Sequence, residues 1–179
     1  MISFRFRLTK EEYYEYNYYT AWSAPSRKKY RIIYFLRVLL LYGAVALLYI
    51  LTTHSYIIWV DVSVFVITGI IYLLFVPFFI RRSVQRRVAD ILSKKENQHV
   101  LDEAEIVLSD SGILDKDAVS QSRYDWDAIV HFAETSDSYY LYTNSYHAIV
   151  IPKRAIQDEA GLKEAERLFD GHLPLQAQF

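Results

Sequence analysis

Two adjacent cations, Lys153 and Arg154, follow Pro152 in an otherwise acidic stretch, and they are the residues best placed for recognition chemistry. Such a pair contacts anionic lipid headgroups or an acidic protein partner. The alternative is a charged turn paired with Asp158 or Glu159 nearby, and both readings stand open at this level. Three histidines lie in the expected soluble domain's strand and helix region: His131 and His147 in expected strands, and His172 beyond the expected last helix. A zinc site needs three or four ligands at suitable spacing, and neither strand histidine has a companion at i+2 or i+4, so no metal is expected. Asp125 and Asp127 flank Trp126. In a strand such i and i+2 positions share one face, which fits two solvent-facing carboxylates beside a core aromatic better than an acid–base pair. Cysteine is absent, so disulfides and thiolate chemistry are ruled out, and the few glycines form no phosphate-cradling loop. With no nucleophile–base constellation, neither an enzyme nor a cofactor is expected.

The elements that must position these residues are organised around two apolar runs. Ile32 to Leu51 carries one charge, Arg37, and Ile57 to Ile80 carries one acid, Asp61. Roughly 20 helical residues cross a bilayer core of about 30 Å, and a helix satisfies its own backbone where no water is available. Bulky apolar residues occupy every face of both runs, whereas a soluble helix keeps a polar stripe. The pattern predicts a transmembrane helical hairpin with spans of about 32–52 and 57–80. Asp61 invites a transport reading, yet it lies near the outer end of its span, too shallow for an ion pathway to be the first expectation. Pro77 should bend the end of the second span, and Gly43 with Ala46 should allow close helix contact.

Charge orients the hairpin. Arg27, Lys28, Lys29 and Arg31 precede the first span, and Arg81, Arg82, Arg86 and Arg87 follow the second, while the connecting Thr52-Thr53-His54-Ser55-Tyr56 has no Lys or Arg. The positive-inside rule therefore predicts both termini in the cytoplasm and the turn outside. No cleavable signal pattern is visible, so the first helix is expected to persist as an anchor. Up to Glu96 fourteen Lys and Arg face six acids, a net of +8; from Asn97 onward six face fifteen, a net of −9. The acidic soluble part argues against nucleic acid, which needs a basic surface, and the basic flanks favour anionic lipid.

Outside the hairpin the periodicity is local and readable. Ile2, Phe4, Phe6 and Leu8 alternate with polar residues, the pattern of a half-buried strand. A lone strand is unstable, so this one is expected to join the only other sheet, beyond the hairpin. Thr9-Lys10-Glu11-Glu12 fits a capping box opening a helix rich in Tyr13, Tyr14, Tyr16, Tyr18, Tyr19 and Trp22 and stopping near Ala24-Pro25. Its aromatic face lies either at the membrane interface or on the soluble domain. After Arg82 the second span should continue as a helix with Val84, Val88, Ile91 and Leu92 on one face. From Glu103 come short antiparallel strands: Glu105–Leu108, a turn at Ser109–Gly112, Ile113–Leu114, a turn near Lys116-Asp117-Ala118, Val119–Tyr124, Ile129–Glu134, Tyr139–Tyr142 and His147–Ile151. A final helix from about Asp158 to Asp170 puts Leu162, Ala165, Leu168 and Phe169 on one face and ends at Gly171.

The residues Phe4-Arg5-Phe6-Arg7-Leu8-Thr9-Lys10-Glu11-Glu12-Tyr13, the paired spans, Leu108-Ser109-Asp110-Ser111-Gly112-Ile113, Trp126-Asp127-Ala128-Ile129 and Ile149-Val150-Ile151-Pro152-Lys153-Arg154-Ala155 together resemble the bacterial YcxB-like membrane proteins. The resemblance implies a cytoplasmic domain of pleckstrin-homology (PH-like) type, a strongly bent antiparallel sheet closed by the C-terminal helix. It implies no activity. The expected architecture is thus an integral membrane protein in three parts: residues 1–30, an N-terminal strand and aromatic interfacial helix; 31–96, the hairpin and its cytoplasmic extension; and 97–179, an α+β PH-like domain. The expected role is a membrane-anchored, non-catalytic binding or sensing module at the inner face of the bacterial cell membrane, with a protein or anionic lipid partner. The alternative is an oligomeric small transporter or channel component built on the hairpin with Asp61 in its pathway, and a homo-oligomer stays open.

Overall fold

The computed structural model describes residues 1–53, 58–117 and 119–173. The expected loop centre His54-Ser55-Tyr56, the first residue of the second run, Ile57, and the turn residue Ala118 lie outside the described residues. The chain forms two compact units, one of Met1–Ala21 with everything from Arg86 onward, the other of Trp22–Gln85.

Among the described residues the first unit holds seven strands, two α-helices of its own and the last turns of a third. Strand β1 (Ile2–Arg7) pairs antiparallel with β2 (Glu103–Ser109), Phe4 opposite Ile106 and Phe6 opposite Ala104. The alternation that could not be stable alone is satisfied about a hundred residues away. β2 turns through Asp110-Ser111 into β3 (Gly112–Lys116), and β3 pairs with β4 (Gln121–Tyr124), giving a four-stranded sheet in the order β1-β2-β3-β4. Gly112 has φ +134°, and a Cβ there would lie 2.5 Å from the Tyr124 carbonyl oxygen. Both the turn and the neighbouring strand therefore require glycine.

The resemblance implied one bent sheet; the strands instead form two ladders. After β4 the chain makes a 3-10 turn at Trp126–Ala128 and starts a second sheet, β5-β6-β7, from His131–Glu134, Ser138–Tyr142 and Ala148–Pro152. Trp126 causes the departure. Its ring is buried and its Nε1–H donates to the Ser109 carbonyl at 2.9 Å, which pins the turn across the β2–β3 hairpin and takes the chain out of the first ladder. Neither β4 with β5 nor β1 with β7 is paired, so the sheets do not close on one another.

Helix α4 (Glu159–His172) covers the core, capped by Asp158, whose carboxylate accepts from Gly161 N–H. Ala165, Leu168 and Phe169 are buried as the spacing predicted, and the Phe169 ring meets Phe132, Tyr139 and Trp126. The helix ends at His172 rather than Gly171; His172 stacks parallel on Trp126 at 5.2 Å and so extends the last turn.

Helix α1 (Lys10–Tyr18) carries the expected capping box, with Thr9 and Glu12 exchanging hydrogen bonds. The helical path stops at Ala24, as expected before Pro25. It widens into a π-helical turn at Tyr19–Ser23; only Ala24 is extended, as a pre-proline residue must be, and a 3-10 turn at Pro25–Arg27 follows.

The second unit is an apolar hairpin. Helix α2 (Lys28–Thr52) has 25 residues and α3 (Ile58–Ser93) has 36, the latter passing Pro77 without interruption and running on into the first unit. At about 1.5 Å per residue α2 is about 37 Å long. Both helices are long and apolar enough to cross a membrane. Their side chains are largely bare: Leu41 is 70% exposed, Leu51 69% and Leu74 72%. The expected close contact at Gly43 and Ala46 falls elsewhere. A Cβ on Gly43 would meet nothing within 4 Å, while one on Gly69 would sit 3.2 Å from the Tyr42 ring. The Tyr42 hydroxyl reaches the Phe65 carbonyl and the Thr68 hydroxyl, a polar tie between the helices inside the apolar unit.

Candidate interaction site

The Lys153-Arg154 pair sits in a 3-10 turn (Lys153–Ala155) between β7 and α4. Neither residue pairs with Asp158 or Glu159; long-range partners take both. Lys153 Nζ lies 2.5 Å from Glu134 Oε1 on β5 and 4.9 Å above the Tyr139 ring. Arg154 makes a forked contact with Glu12 of α1, Nε to Oε1 at 2.6 Å and Nη2 to Oε2 at 2.7 Å, and Nη2 also donates to the Arg7 carbonyl at 2.8 Å. Glu12 thus serves two donors, because its Oε2 also accepts the Thr9 N–H of the capping box. Partial burial pushes the Glu12 carboxyl up, but the Arg154 guanidinium and the Thr9 amide outweigh it and hold the carboxyl below its ordinary value. Arg154 is raised in turn by Glu12. The two cations tie the end of β7 to β5 on one side and to the β1–α1 corner on the other.

The tyrosine-rich face of α1 rests on the second sheet. Every residue of β6 is buried, with Tyr139 and Leu141 in the main core and Tyr140 and Tyr142 on the opposite face. On that opposite face Tyr16 meets Tyr140 at 5.6 Å and Tyr142 at 6.5 Å, and Tyr19 meets Tyr140 at 5.2 Å. The Tyr16 hydroxyl donates to the Tyr146 carbonyl at 2.8 Å and accepts from Ala148 N–H at 3.0 Å. Thr20 and Tyr142 share a hydrogen bond of 2.7 Å. Burial pushes Tyr140 up to about 12 and raises Tyr16 and Tyr142 as well; burial with the Glu134 and Glu166 charges pushes Tyr139 up to about 12. Of the two placements considered for this aromatic face, packing on the domain accounts for Tyr13, Tyr16 and Tyr19.

The remaining candidates disperse. Asp125 and Asp127 are exposed on either side of buried Trp126, but in a turn rather than a strand. His131 opens β5 and meets the Tyr142 ring in a tilted arrangement at 5.3 Å, whereas His147 lies in the loop before β7, not in a strand, with Nδ1 3.3 Å from Thr143 Oγ1. His172 ends α4 and reaches Asp110 at 3.6 Å. Among the described residues no three His, Asp or Glu side chains gather as metal ligands. The basic flanks are placed in helical elements: Arg27 in the Pro25–Arg27 turn; Lys28, Lys29 and Arg31 at the start of α2; Arg81, Arg82, Arg86 and Arg87 along α3. Arg31 points back along the chain, its Nη1 donating to the Trp22 and Ala24 carbonyls, while Lys28, Lys29, Arg82, Arg86 and Arg87 are exposed. Asp61 occupies the first turn of α3.

Sequence reasoning passed over four features. Tyr13, Tyr16 and Thr20 share one helical face, a spacing visible in the chain, but their partners in β6 are not. Asp115 on β3 is half-buried, which raises its carboxyl, as does Asp117, against a smaller opposing effect of His147. A groove of about 310 Å³ runs along β1 between Ile2–Arg5 and residues 155–158. Within the helical unit a wholly different, apolar groove of about 390 Å³ is lined by Tyr42, Gly43, Ala46, Phe65 and Gly69 among others.

Residues 108–168, from the end of β2 into α4, match the family model described as YcxB-like protein, in agreement with the resemblance of the motifs in that stretch. No curated protein and no solved structure matches the chain.

Proposed function

We propose that this chain, YcxB-like over its sheet-and-helix part, is a membrane-anchored, non-catalytic binding module that holds a PH-like domain at the cytoplasmic face of a bacterial inner membrane. The observation that carries the reading is the pairing of β1 with β2. The strand before the hairpin and the strand after it belong to one sheet, so a membrane-crossing hairpin must return the chain to the side from which it left. The exposed apolar surface of α2 and α3 supports the crossing, and the basic residues at both ends of the hairpin support the cytoplasm as the shared side. The PH-like reading rests on the four-plus-three strand arrangement with a C-terminal helix over the core. Recognition, not chemistry, is the act assigned to it.

The absence of native cysteine makes the test clean. Single cysteines at Thr53→Cys, in the hairpin turn, and Gln157→Cys, in the domain, are treated with a membrane-impermeant maleimide on intact cells. The turn cysteine should label directly and the domain cysteine only after permeabilisation. Labelling of both from outside, or of neither, would remove the topology on which the proposal stands.

A further inference from the structure

The backbone of β1 has one side that its sheet does not use. In an antiparallel strand the N–H and C=O of a residue point to the same side, and successive residues alternate. Two independent observations fix which residues face outward. The β2–β3 hairpin closes on Ser109 opposite Gly112 with two residues between, so Ser109, Val107 and Glu105 bond toward β3 and Leu108, Ile106 and Ala104 toward β1. Their partners Ile2, Phe4 and Phe6 are therefore the β1 residues that bond inward. The Arg7 carbonyl, by the same alternation an outward group, is the one that accepts from Arg154. Ser3 and Arg5 then direct N–H and C=O away from β2, and no backbone partner takes them among the described residues.

These groups open into the groove along β1, whose far wall is Ala155, Ile156, Gln157 and Asp158. Ala155 is buried and Ile2 and Ile156 half-buried, forming an apolar floor, while Gln157 and Asp158 form an exposed rim. Ile156 and Asp158 are themselves extended in backbone. The volume, about 310 Å³, lies at the small end of ligand-binding clefts.

Natural edge strands are blunted by proline, bulges, charged side chains or a covering segment. β1 has no proline, its six register pairs run without a bulge, and Arg5 is paired to Glu105 across the ladder. The open part of the edge is the Ser3–Arg5 stretch; beyond it Arg154 already occupies the Arg7 carbonyl. A groove of about 310 Å³ is on the scale of a single extended segment rather than of a domain surface.

We propose that the outer edge of β1 binds an extended peptide segment of a partner protein as an added strand, paired through Ser3 and Arg5 and seated on Ile2, Ala155 and Ile156. Main-chain hydrogen bonds supply affinity in this mode, and alternate side-chain positions supply selectivity. The floor selects small or β-branched apolar residues at every second peptide position. The inference rests on the binding-module reading and names the class of partner.

The test uses the full-length protein in lipid nanodiscs and a displayed library of random octapeptides. Selected peptides should bind wild type and Arg5→Ala alike, and should bind Arg5→Pro at least roughly tenfold more weakly, the loss of about one good hydrogen bond. Proline there removes an outward N–H and leaves the β2 ladder intact, which an unchanged domain melting temperature checks. Should Arg5→Pro fail to fold, N-methylation of alternate peptide amides tests the same bonds on wild-type protein: one register should abolish binding and the other should spare it. Equal binding to wild type and Arg5→Pro, indifference to N-methylation, or no enrichment at all would overturn the proposal. A dimer that Arg5→Pro dissociates would assign the edge to a second copy and also overturn it. None of these outcomes depends on the maleimide pattern, so this site and the anchored-module topology fail separately.

Discussion

Tyr16→Phe isolates what docks α1 onto the second sheet. The substitution keeps the ring, and with it the contacts to Tyr140 and Tyr142, and removes only the hydroxyl. Two hydrogen bonds to backbone groups are lost, at 2.8 and 3.0 Å, and their consequences differ. The Tyr146 carbonyl belongs to a residue 72% exposed, so water replaces the phenol there at little cost. Ala148 is 8% exposed, and its N–H is left inside the protein without an acceptor. An orphaned buried donor costs about 1–3 kcal/mol, so the loss should lie near the middle of that range. Tyr13→Phe is the control: its ring packs against the same cluster and its hydroxyl has no hydrogen-bond partner among the described residues, so it should change stability by less than about 0.5 kcal/mol. Urea unfolding of the full-length protein in nanodiscs, followed by near-ultraviolet circular dichroism of the tyrosines, reads both. Tyr16→Phe no more costly than Tyr13→Phe would refute the claim that a hydroxyl bridge fixes α1 to β7.

Other outcomes follow from the same geometry. Gly112→Ala should destabilise the domain by about 1–3 kcal/mol, since it forces a left-handed backbone on alanine and drives a methyl into the Tyr124 carbonyl; a urea melt unchanged from wild type would contradict this. Tyr139 and Tyr140 ionise near 12 when folded, above the ordinary 10.0, so the fold favours the neutral rings. Their contribution is complete below about pH 10 and is lost as pH rises through 12, which absorbance at 295 nm against pH should show as a late, unfolding-coupled step. Glu12 has the opposite sign: its folded value lies below 4.5, so the stability it contributes is present above that pH and fades as pH falls through the lower folded value. In wild type this should appear as an acid-side loss that Arg154→Ala reduces. Asp61→Asn should leave the domain's melting temperature and the maleimide pattern unchanged, and a collapse of either would give Asp61 a structural role that its position at the start of α3 does not.

Much of the architecture was legible because its causes are local. The Thr9–Glu12 capping box, the alternation of β1, the buried face of α4 and the two apolar helices each depend on spacing within a few turns. What was missed depends on contacts between distant residues. Arg154 meets Glu12 across 142 positions and Lys153 meets Glu134 across 19, whereas composition offered only Asp158 and Glu159 as neighbours. Period-two patterning identified most strands but carries no information on which ladder a strand joins, so the departure at Trp126 into a second sheet was invisible. His147 read as a strand residue because it adjoins an apolar run, yet the Asn144 carboxamide accepts its N–H and closes a turn there. The free edge of β1 was out of reach for the same reason, being a property of pairing rather than of residue type.

Because the account makes the strand before the hairpin and the strand after it one sheet, crosslinking across that junction tests it most directly. Ser3 faces Val107 in the β1–β2 register as a non-hydrogen-bonded pair, for which the Cα separation is about 4.5 Å, within reach of a disulfide. In native membranes, oxidation of Ser3→Cys with Val107→Cys should give a near-complete intramolecular disulfide. Ser3→Cys with Ile106→Cys, slipped by one residue onto the opposite face, should give almost none. Absence of the first crosslink, or equal yield from both pairs, would contradict the account.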